Sequence, residues 1–154
     1  MIKYITIFLS YVLGNYISSL MKIESLFIIV SLVSTYPLFK DNKRFILTCF
    51  ICGYIYDLVI TNTLFISTIS FGICAYLIII LSHYLKPSIY NGILKVIIVL
   101  MCYRFSHFIV LFIIGYTKLN LFDDIIPSTL INALYSIFLL FIIKKAKKYC
   151  LKKY

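Results

Sequence analysis

Six long apolar runs occupy most of the chain, and the connectors between them are only a few residues long. Hydrophobic residues make up 63% of the 154 residues and charged residues only 13%, whereas soluble domains are about half apolar and about a quarter charged. A soluble core of this size could not bury so much apolar surface. The sequence therefore predicts a chain whose solvent is lipid.

The six runs predict an all-α integral membrane bundle of about six transmembrane helices. Their approximate bounds are 4–20, 26–39, 45–61, 64–85, 93–116 and 125–143. The second run is short for a bilayer and contains Pro37 near its end, so we expect it to be tilted, kinked or partly interfacial. The first run is interpreted as a membrane helix rather than a cleaved signal. Because every connector is too short for a soluble domain, we predict a single polytopic membrane domain, residues 1–154.

The basic residues predict the orientation of the bundle. With the N-terminus in the cytoplasm, the outer side receives only Lys22 and Lys118, together with Glu24, Asp123 and Asp124. The cytoplasmic side receives Lys3, Lys40, Lys43, Arg44, Lys86, Lys95, Lys144, Lys145, Lys147, Lys148, Lys152 and Lys153. The positive-inside rule then predicts that both termini are cytoplasmic.

The net charge of +10 does not predict a nucleic-acid partner. The charges lie at the ends of apolar runs and in a C-terminal cluster, which is the pattern of membrane topology rather than of a phosphate-binding groove. We expect the C-terminal cluster to contact anionic lipid headgroups, so that membrane lipids are partners and nucleic acid is not.

Asp57 places a carboxylate inside the third apolar run, where an ionised group is costly. It lies roughly 18 Å from the cytoplasmic end of that helix, at about 1.5 Å per residue. Spacing by four puts Cys49 and Gly53 on the same stripe as Asp57, and a stripe of small and polar residues is typical of a helix-packing seam. We therefore expect Asp57 to face the interior of the bundle.

Arg104 is the basic residue that lies deep inside an apolar run, roughly 16 Å along the fifth helix and so at nearly the depth of Asp57. Intramembrane charges usually pair or face water. We predict that Asp57 and Arg104 pair between the third and fifth helices, and that His107, one turn further on, joins them. Two interpretations stay open: a structural ion pair that fixes helix register, or a polar site for a ligand, a proton or a partner helix.

The sixth run opens with the sequence PSTLIN, from Pro127 to Asn132. Proline suits the first turn of a helix, where its missing N–H costs nothing, so we expect Pro127 there. Ser128, Asn132 and Ser136 recur at a spacing of four, which predicts a polar face that makes hydrogen bonds between helices. A contact with a partner protein is the alternative for this face.

Neither catalysis nor metal binding is indicated by the motifs. Four of the five carboxylates lie in connectors, and no Gly-rich phosphate loop, His-Glu-x-x-His or Ser-His-Asp set is present. The spacing of Cys49 and Cys52 suggests a metal or redox pair, but neither a second cysteine pair nor a histidine pair accompanies it, so we interpret both as packing residues. We predict no enzymatic activity, no metal and no cofactor.

Two motifs resemble a known family. Gly53-Tyr-Ile-Tyr-Asp57-Leu58 resembles the Gly-x-x-x-Asp-Leu signature in the third helix of the MreD family of rod shape-determining proteins. The Pro127 to Asn132 segment resembles the Pro and Asn pattern that opens the last helix of that family. Length, basic tail and helix count are also similar, and the resemblance covers the chain from about residue 45 onward. One departure is the segment NTLFIST, residues 62–68, because the family usually has a glycine near the start of the next helix.

The resemblance implies a non-enzymatic scaffold subunit of the bacterial cell-elongation and peptidoglycan-synthesis machinery, in the cytoplasmic (inner) membrane. Such a protein associates with the single-span protein MreC and helps to organise peptidoglycan synthases and MreB filaments. Asp57 and Asn132 are the family-matching positions. We expect a lipid-facing or outward groove to hold the transmembrane helix of the partner. The structural or partner-binding candidates are Gly53, Asp57, Arg104, His107, Pro127 and Asn132.

Two rival functions stay open. The family also resembles the substrate-binding subunits of energy-coupling-factor vitamin transporters, which are small six-helix proteins. A transporter subunit would need a polar cavity open to the outside, and the short outward connectors carry few ligand-type side chains. A membrane-embedded enzyme is the third hypothesis, and the missing catalytic sets count against it.

Overall fold

The structure is a computed structural model that describes residues 2–21, 25–61, 65–86, 88–114 and 121–151. These residues form six α-helices and no strand. The helices are α1 (Ile2–Met21), α2 (Phe27–Thr35), α3 (Asn42–Tyr56), α4 (Ile66–Tyr84), α5 (Ile89–Ile114) and α6 (Leu121–Leu151). A 3-10 helix, Tyr36–Leu38, follows α2, and a π-helix, Asp57–Thr61, follows α3. The predicted all-α fold is confirmed.

Four of the described helices are long and apolar enough to cross a membrane. They are α1, α4, residues Ile89–Val110 of α5 and residues Pro127–Lys145 of α6. The 15 residues of α3 continue directly into the 5 residues of the π-helix, and together they extend roughly 30 Å, which is close to the thickness of a bilayer core.

α2 is the short central helix of the bundle. All nine of its residues are buried, and it packs against α1, α5 and α6. Nine residues extend only about 14 Å, so α2 cannot cross a bilayer. Instead of lying partly at the membrane interface, α2 is enclosed by other helices, and the hydroxyls of Ser31, Ser34 and Thr35 donate to carbonyl groups of α2 itself. Pro37 lies in the 3-10 helix at its end.

The remaining helices pack in chain order. α4 lies against both α3 and α5, and α5 lies against α6. Rings from three helices meet in the core: Phe71 of α4 lies 5.9 Å from Tyr56 of α3 and 5.6 Å from Tyr103 of α5, measured between ring centroids. Because α4 contacts both neighbours, it connects the helix that carries Asp57 with the helix that carries Arg104.

Basic residues from separate parts of the sequence lie at one end of the bundle. The Lys3 ammonium at the start of α1 lies 3.9 Å from the centroid of the Phe39 ring, just before α3. Pro37, Lys95 and Lys144 line one cavity at the ends of α2, α5 and α6. The fold thus brings together residues that the charge pattern assigns to a common side of the membrane.

Pro127 does not lie in the first turn of the sixth helix, so that expectation is wrong. α6 begins at Leu121, and Pro127 lies inside it. The sequence-based start at residue 125 treats Asp123 and Asp124 as connector, but acidic residues are favourable in a first turn because they complement the helix dipole. Pro127 therefore removes one intrahelical hydrogen bond in the interior of α6.

Candidate functional site

The Asp57 carboxylate caps the N-terminus of α4. Asp57 is 1% exposed. One carboxylate oxygen accepts the Ser67 N–H at 2.8 Å, and the other accepts the Thr68 N–H at 2.8 Å and the Thr68 hydroxyl at 2.7 Å. These N–H groups belong to the first turn of α4, where the helix dipole favours an anion and the backbone donors need partners. A buried carboxylate is thus held by hydrogen bonds from the neighbouring helix.

Gly53 allows α3 to approach α4 closely enough for this contact. A Cβ atom at Gly53 would lie 2.7 Å from the Thr68 Cα and 3.0 Å from the Phe71 Cβ, which is too close for real carbon atoms. Gly53 lies one helical turn before Asp57, so the close approach and the carboxylate contact occur on one face of α3 and the π-helix that continues it. The spacing of four residues therefore places Gly53 where it allows the close approach and Asp57 where its carboxylate reaches the N-terminus of α4.

Phe65, just before α4, has a left-handed backbone with φ of 66°. This conformation costs a non-glycine residue roughly 1–2 kcal/mol, and glycine adopts it without that cost. Phe65 lies in the segment 62–68, where the MreD family, which the sequence resembles, usually has a glycine near the start of the next helix. The hydrogen bonds from Ser67 and Thr68 to Asp57 lie two and three residues further on and help to hold the strained turn in place.

Arg104 belongs to a second polar cluster, which contains residues of α5 and α6 and the start of α2. The Arg104 guanidinium donates to the Ser128 hydroxyl at 2.6 Å. The Asn132 amide donates to the Ser128 carbonyl oxygen at 2.7 Å, and its oxygen accepts the Leu26 N–H at 2.9 Å. Leu26 immediately precedes α2, so the cluster extends from a charge on α5 to the buried N-terminus of the short helix.

Asn132 caps the N-terminus of α2 from α6, because α2 has no capping side chain of its own. Leu26 occupies the N-cap position and has no side-chain hydrogen bond to offer. Asn132 is 1% exposed and supplies the missing acceptor from a helix more than 100 residues away in the chain. An uncapped helix end in the core would leave backbone donors without partners, which costs roughly 1–3 kcal/mol each.

His107 lies on the same helix as Arg104 and stacks on Tyr103. Their ring centroids are 5.6 Å apart, with 23° between the planes. Tyr103 also contacts Phe71, so His107 extends the row of rings that begins at Tyr56. The predicted pairing of Asp57 with Arg104, and the role of His107 in it, stay predictions.

α1 is joined to α6 by hydrogen bonding and to the start of α2 by close packing. The Ser10 hydroxyl lies 2.7 Å from the Tyr135 hydroxyl, and the Tyr135 ring stacks on Phe27 at 3.9 Å between centroids. Gly14 approaches Ser25, whose hydroxyl donates to the Gly14 carbonyl at 2.5 Å. The sequence reasoning missed these contacts, although Ser10 and Gly14 lie four residues apart and form a short small-residue stripe.

The Cys49 and Cys52 pair lies in apolar packing. Cys49 and Cys52 are buried free thiols in the core of the bundle. Within the described residues, no group of three or more His, Cys, Asp or Glu side chains is placed to hold a metal ion.

An apolar groove lies between α1 and α3. It has a volume of about 660 Å³. Phe8 and Tyr11 of α1 and Leu47 and Ile51 of α3 form its walls, and the buried Ile28 of α2 lines it between them. Arg44 and Thr48, in the first two turns of α3, bring polar groups to its basic end. The groove is therefore a depression that runs along α1 and α3, with one helix on each side.

The chain matches one protein family over nearly its whole length. The family is described as rod shape-determining protein MreD, and the match covers residues 1–150. No curated protein and no solved structure gives a significant match. Proteins of this family are bacterial membrane proteins that determine rod shape together with the rod-shape machinery, and they are structural rather than known as enzymes. The apolar helices and the motif around Asp57 agree with the match, and the chain belongs to the MreD family.

Proposed function

We propose that this protein is a non-enzymatic scaffold of the cell-elongation machinery that holds the transmembrane helix of a single-span partner such as MreC. It spans the bacterial inner membrane several times as one polytopic domain, residues 1–154, with both termini in the cytoplasm. The observation that carries the proposal is the apolar groove between α1 and α3.

The groove fits an apolar helix better than a small polar substrate. Its walls are mostly aliphatic and aromatic side chains such as Phe8, Leu47 and Ile51, and Arg44 and Thr48 bring polar groups to one end. Association of helices in lipid depends on van der Waals packing rather than on burial from water, so a preformed depression favours a bound helix over lipid chains. Phe8, Leu47 and Ile51 are all exposed in the isolated chain.

α1 has room for a partner because little of its surface is used. Of its twenty residues, those buried are Ile7, Ser10 and Gly14, which fall on one face. The opposite faces carry large exposed side chains, among them Phe8 and Tyr16. A second helix beside α1 would cover surface that the bundle itself leaves to lipid.

The six candidate residues support the groove indirectly under this proposal. Gly53 and Asp57 fix α3 against α4, and Asn132 fixes α2, whose Ile28 lines the groove. Arg104 and His107 lie on α5, and Pro127 lies inside α6. Their substitution is expected to change partner binding through the shape of the bundle rather than through direct contact.

The predicted Asp57–Arg104 interaction is part of this proposal. A double-mutant cycle with Asp57→Asn and Arg104→Gln measures the coupling between the two side chains in the free energy of unfolding. Coupling above about 0.5 kcal/mol supports an interaction between them. Additive effects mean that the two charges stabilise separate parts of the bundle.

Site-specific photo-crosslinking tests the groove. A photoreactive phenylalanine analogue replaces Phe8 or Leu47 in the groove, or Ile80 on an exposed face of α4 as the matched control. The variants are co-expressed with the MreC-type protein of the same organism and irradiated in membranes. We expect crosslinks to the partner from positions 8 and 47 and a background level from position 80.

Two results would count against the scaffold. One is equal crosslinking from position 80, which would mean that the groove is not the contact. The other is recovery of a tightly bound vitamin with the purified chain and no crosslinked protein, which would favour the transporter subunit.

A further inference from the structure

A second, smaller cavity lies at the basic end of the bundle. Its volume is about 240 Å³, which is below the roughly 300–1,000 Å³ of sites for drug-sized ligands. Four helix ends contribute to it: Pro37 follows α2, Ser82 lies near the end of α4, Ser88 precedes α5, and Lys144 lies near the end of the membrane-crossing part of α6. The cavity therefore lies where the helices reach the level of the lipid headgroups.

Two lysines line this cavity, and none of its lining residues is a carboxylate. The Lys95 ammonium donates to the Ser82 hydroxyl at 3.3 Å, and Lys95 is partly buried. Lys144 lines the same cavity from α6. Lys144 is exposed, and two cationic side chains that line one cavity are both stabilised by an anion bound between them.

The rest of the lining suits a small anionic group beside an apolar wall. Ser82 and Ser88 bring hydroxyl groups, whereas Val33, Leu140 and Ile143 supply hydrocarbon. Gly92 allows the Leu140 side chain to lie against the α5 backbone, since a Cβ atom there would lie 2.7 Å from the Leu140 Cδ1. Basic pockets between membrane helices on the cytoplasmic side are places where phosphate headgroups bind.

We propose that this cavity is a binding site for a phosphate group, held by Lys95 and Lys144 with the Ser82 hydroxyl beside them. The phosphate could belong to an anionic phospholipid or to a soluble anion, and both share this chemistry. The proposal does not depend on the groove between α1 and α3 or on the partner that we assign to it.

Lipid retention and phosphate-dependent stability test the site and distinguish the two sources. The full chain is placed in nanodiscs of phosphatidylcholine with phosphatidylglycerol, then extracted into mild detergent, and the retained lipid is counted by native mass spectrometry. In parallel, the thermal unfolding of the chain in phosphatidylcholine nanodiscs is measured with and without inorganic phosphate. The test variant is Lys95→Gln with Lys144→Gln, and the matched control is Lys86→Gln with Lys145→Gln, two exposed lysines that do not line the cavity.

We expect the wild-type chain and the control to retain phosphatidylglycerol, and the test variant to bind it roughly fivefold more weakly for each lysine replaced. Stabilisation of the wild type by inorganic phosphate, lost in the test variant alone, would support the site with a soluble source. Equal behaviour of test variant and control in both arms would overturn the proposal. If the double variant does not fold, Lys144→Gln alone serves as the test, because Lys144 is an exposed residue and Lys145→Gln is its direct control.

Discussion

Asp41 and Asp57 both accept an N–H group in the first turn of a helix, α3 for Asp41 and α4 for Asp57, but in different surroundings. Asp41 precedes α3, is exposed, and accepts the Lys43 N–H at 3.0 Å. Asp57 reaches across to α4 from another helix and is buried. The chain thus contains an exposed and a buried carboxylate at helix N-termini, and the comparison separates the effect of burial from the effect of capping.

Asp57→Asn is expected to destabilise the bundle by roughly 1–3 kcal/mol, because the new amide group would place N–H donors against the N–H donors of α4 in a buried site. Asp41→Asn should cost less than about 0.5 kcal/mol, since asparagine caps an exposed helix as well as aspartate. Reversible unfolding in mixed micelles measures both. Equal losses for the two variants would mean that the burial of Asp57 does not matter.

The strained backbone of Phe65 gives a second prediction at the residue scale. Phe65→Gly and Phe65→Ala both remove the ring, which lies 5.9 Å from the Tyr54 ring, but only glycine adopts a φ of 66° without cost. The glycine variant should be more stable than the alanine variant by about 1 kcal/mol. Their melting temperatures in the same detergent measure the difference, and a more stable alanine variant would show that the left-handed turn is not strained.

At the scale of elements, Gly53 and Gly14 differ in how closely a neighbouring part of the chain approaches them. A Cβ atom at Gly53 would lie 2.7 Å from the backbone of α4, whereas one at Gly14 would lie no closer than 3.4 Å to any neighbour. The contact between α3 and α4 is therefore intolerant of a methyl group, and the contact of α1 with the start of α2 has room for one.

Gly53→Ala should destabilise the bundle by about 1–3 kcal/mol through overpacking. Gly14→Ala should be neutral or should stabilise α1 by up to about 1 kcal/mol through its higher helix propensity. Both are measured as free energies of unfolding. A tolerated alanine at Gly53 would contradict the close approach that brings Asp57 to α4.

The short helix α2 should loosen when its distant cap is removed. Asn132→Leu leaves the Leu26 N–H without its acceptor, at a cost of roughly 1–3 kcal/mol. Hydrogen exchange should rise in residues 25–35 and stay unchanged in α4. Asn91→Leu is the control, because Asn91 bonds the Lys86 carbonyl at the other end of the bundle; slow exchange in α2 after Asn132→Leu would refute the capping role.

For the whole molecule, the periodic and compositional signals predicted the helices well. Five of the six predicted runs lie within about four residues of the observed helices when the 3-10 helix is counted with α2 and the π-helix with α3, because uninterrupted apolar stretches are a strong signal in a membrane chain. The sixth helix was predicted too short because Asp123 and Asp124 continue it at its start and lysines continue it at its end. Polar residues are ordinary in helix ends that extend beyond the apolar core of a bilayer.

The contacts of the site were less predictable than its residues. The sequence singled out Asp57, Arg104 and Asn132, but their observed hydrogen-bond partners include the backbone N–H groups of Ser67 and Leu26. A backbone donor carries no signature in the sequence, because every residue except proline has one. Only the three-dimensional arrangement of the helix ends reveals which donors need an acceptor.

We propose that the groove between α1 and α3 holds the transmembrane helix of a single-span partner. Co-purification of the MreC-type protein with wild-type chain, Ile51→Trp and Ile80→Trp measures it directly, because Ile51 lines the groove and Ile80 is an exposed residue of α4 outside it. We expect a roughly tenfold loss of recovered partner with Ile51→Trp, equivalent to about 1.4 kcal/mol, and full recovery with Ile80→Trp. Equal recovery from all three chains would contradict it.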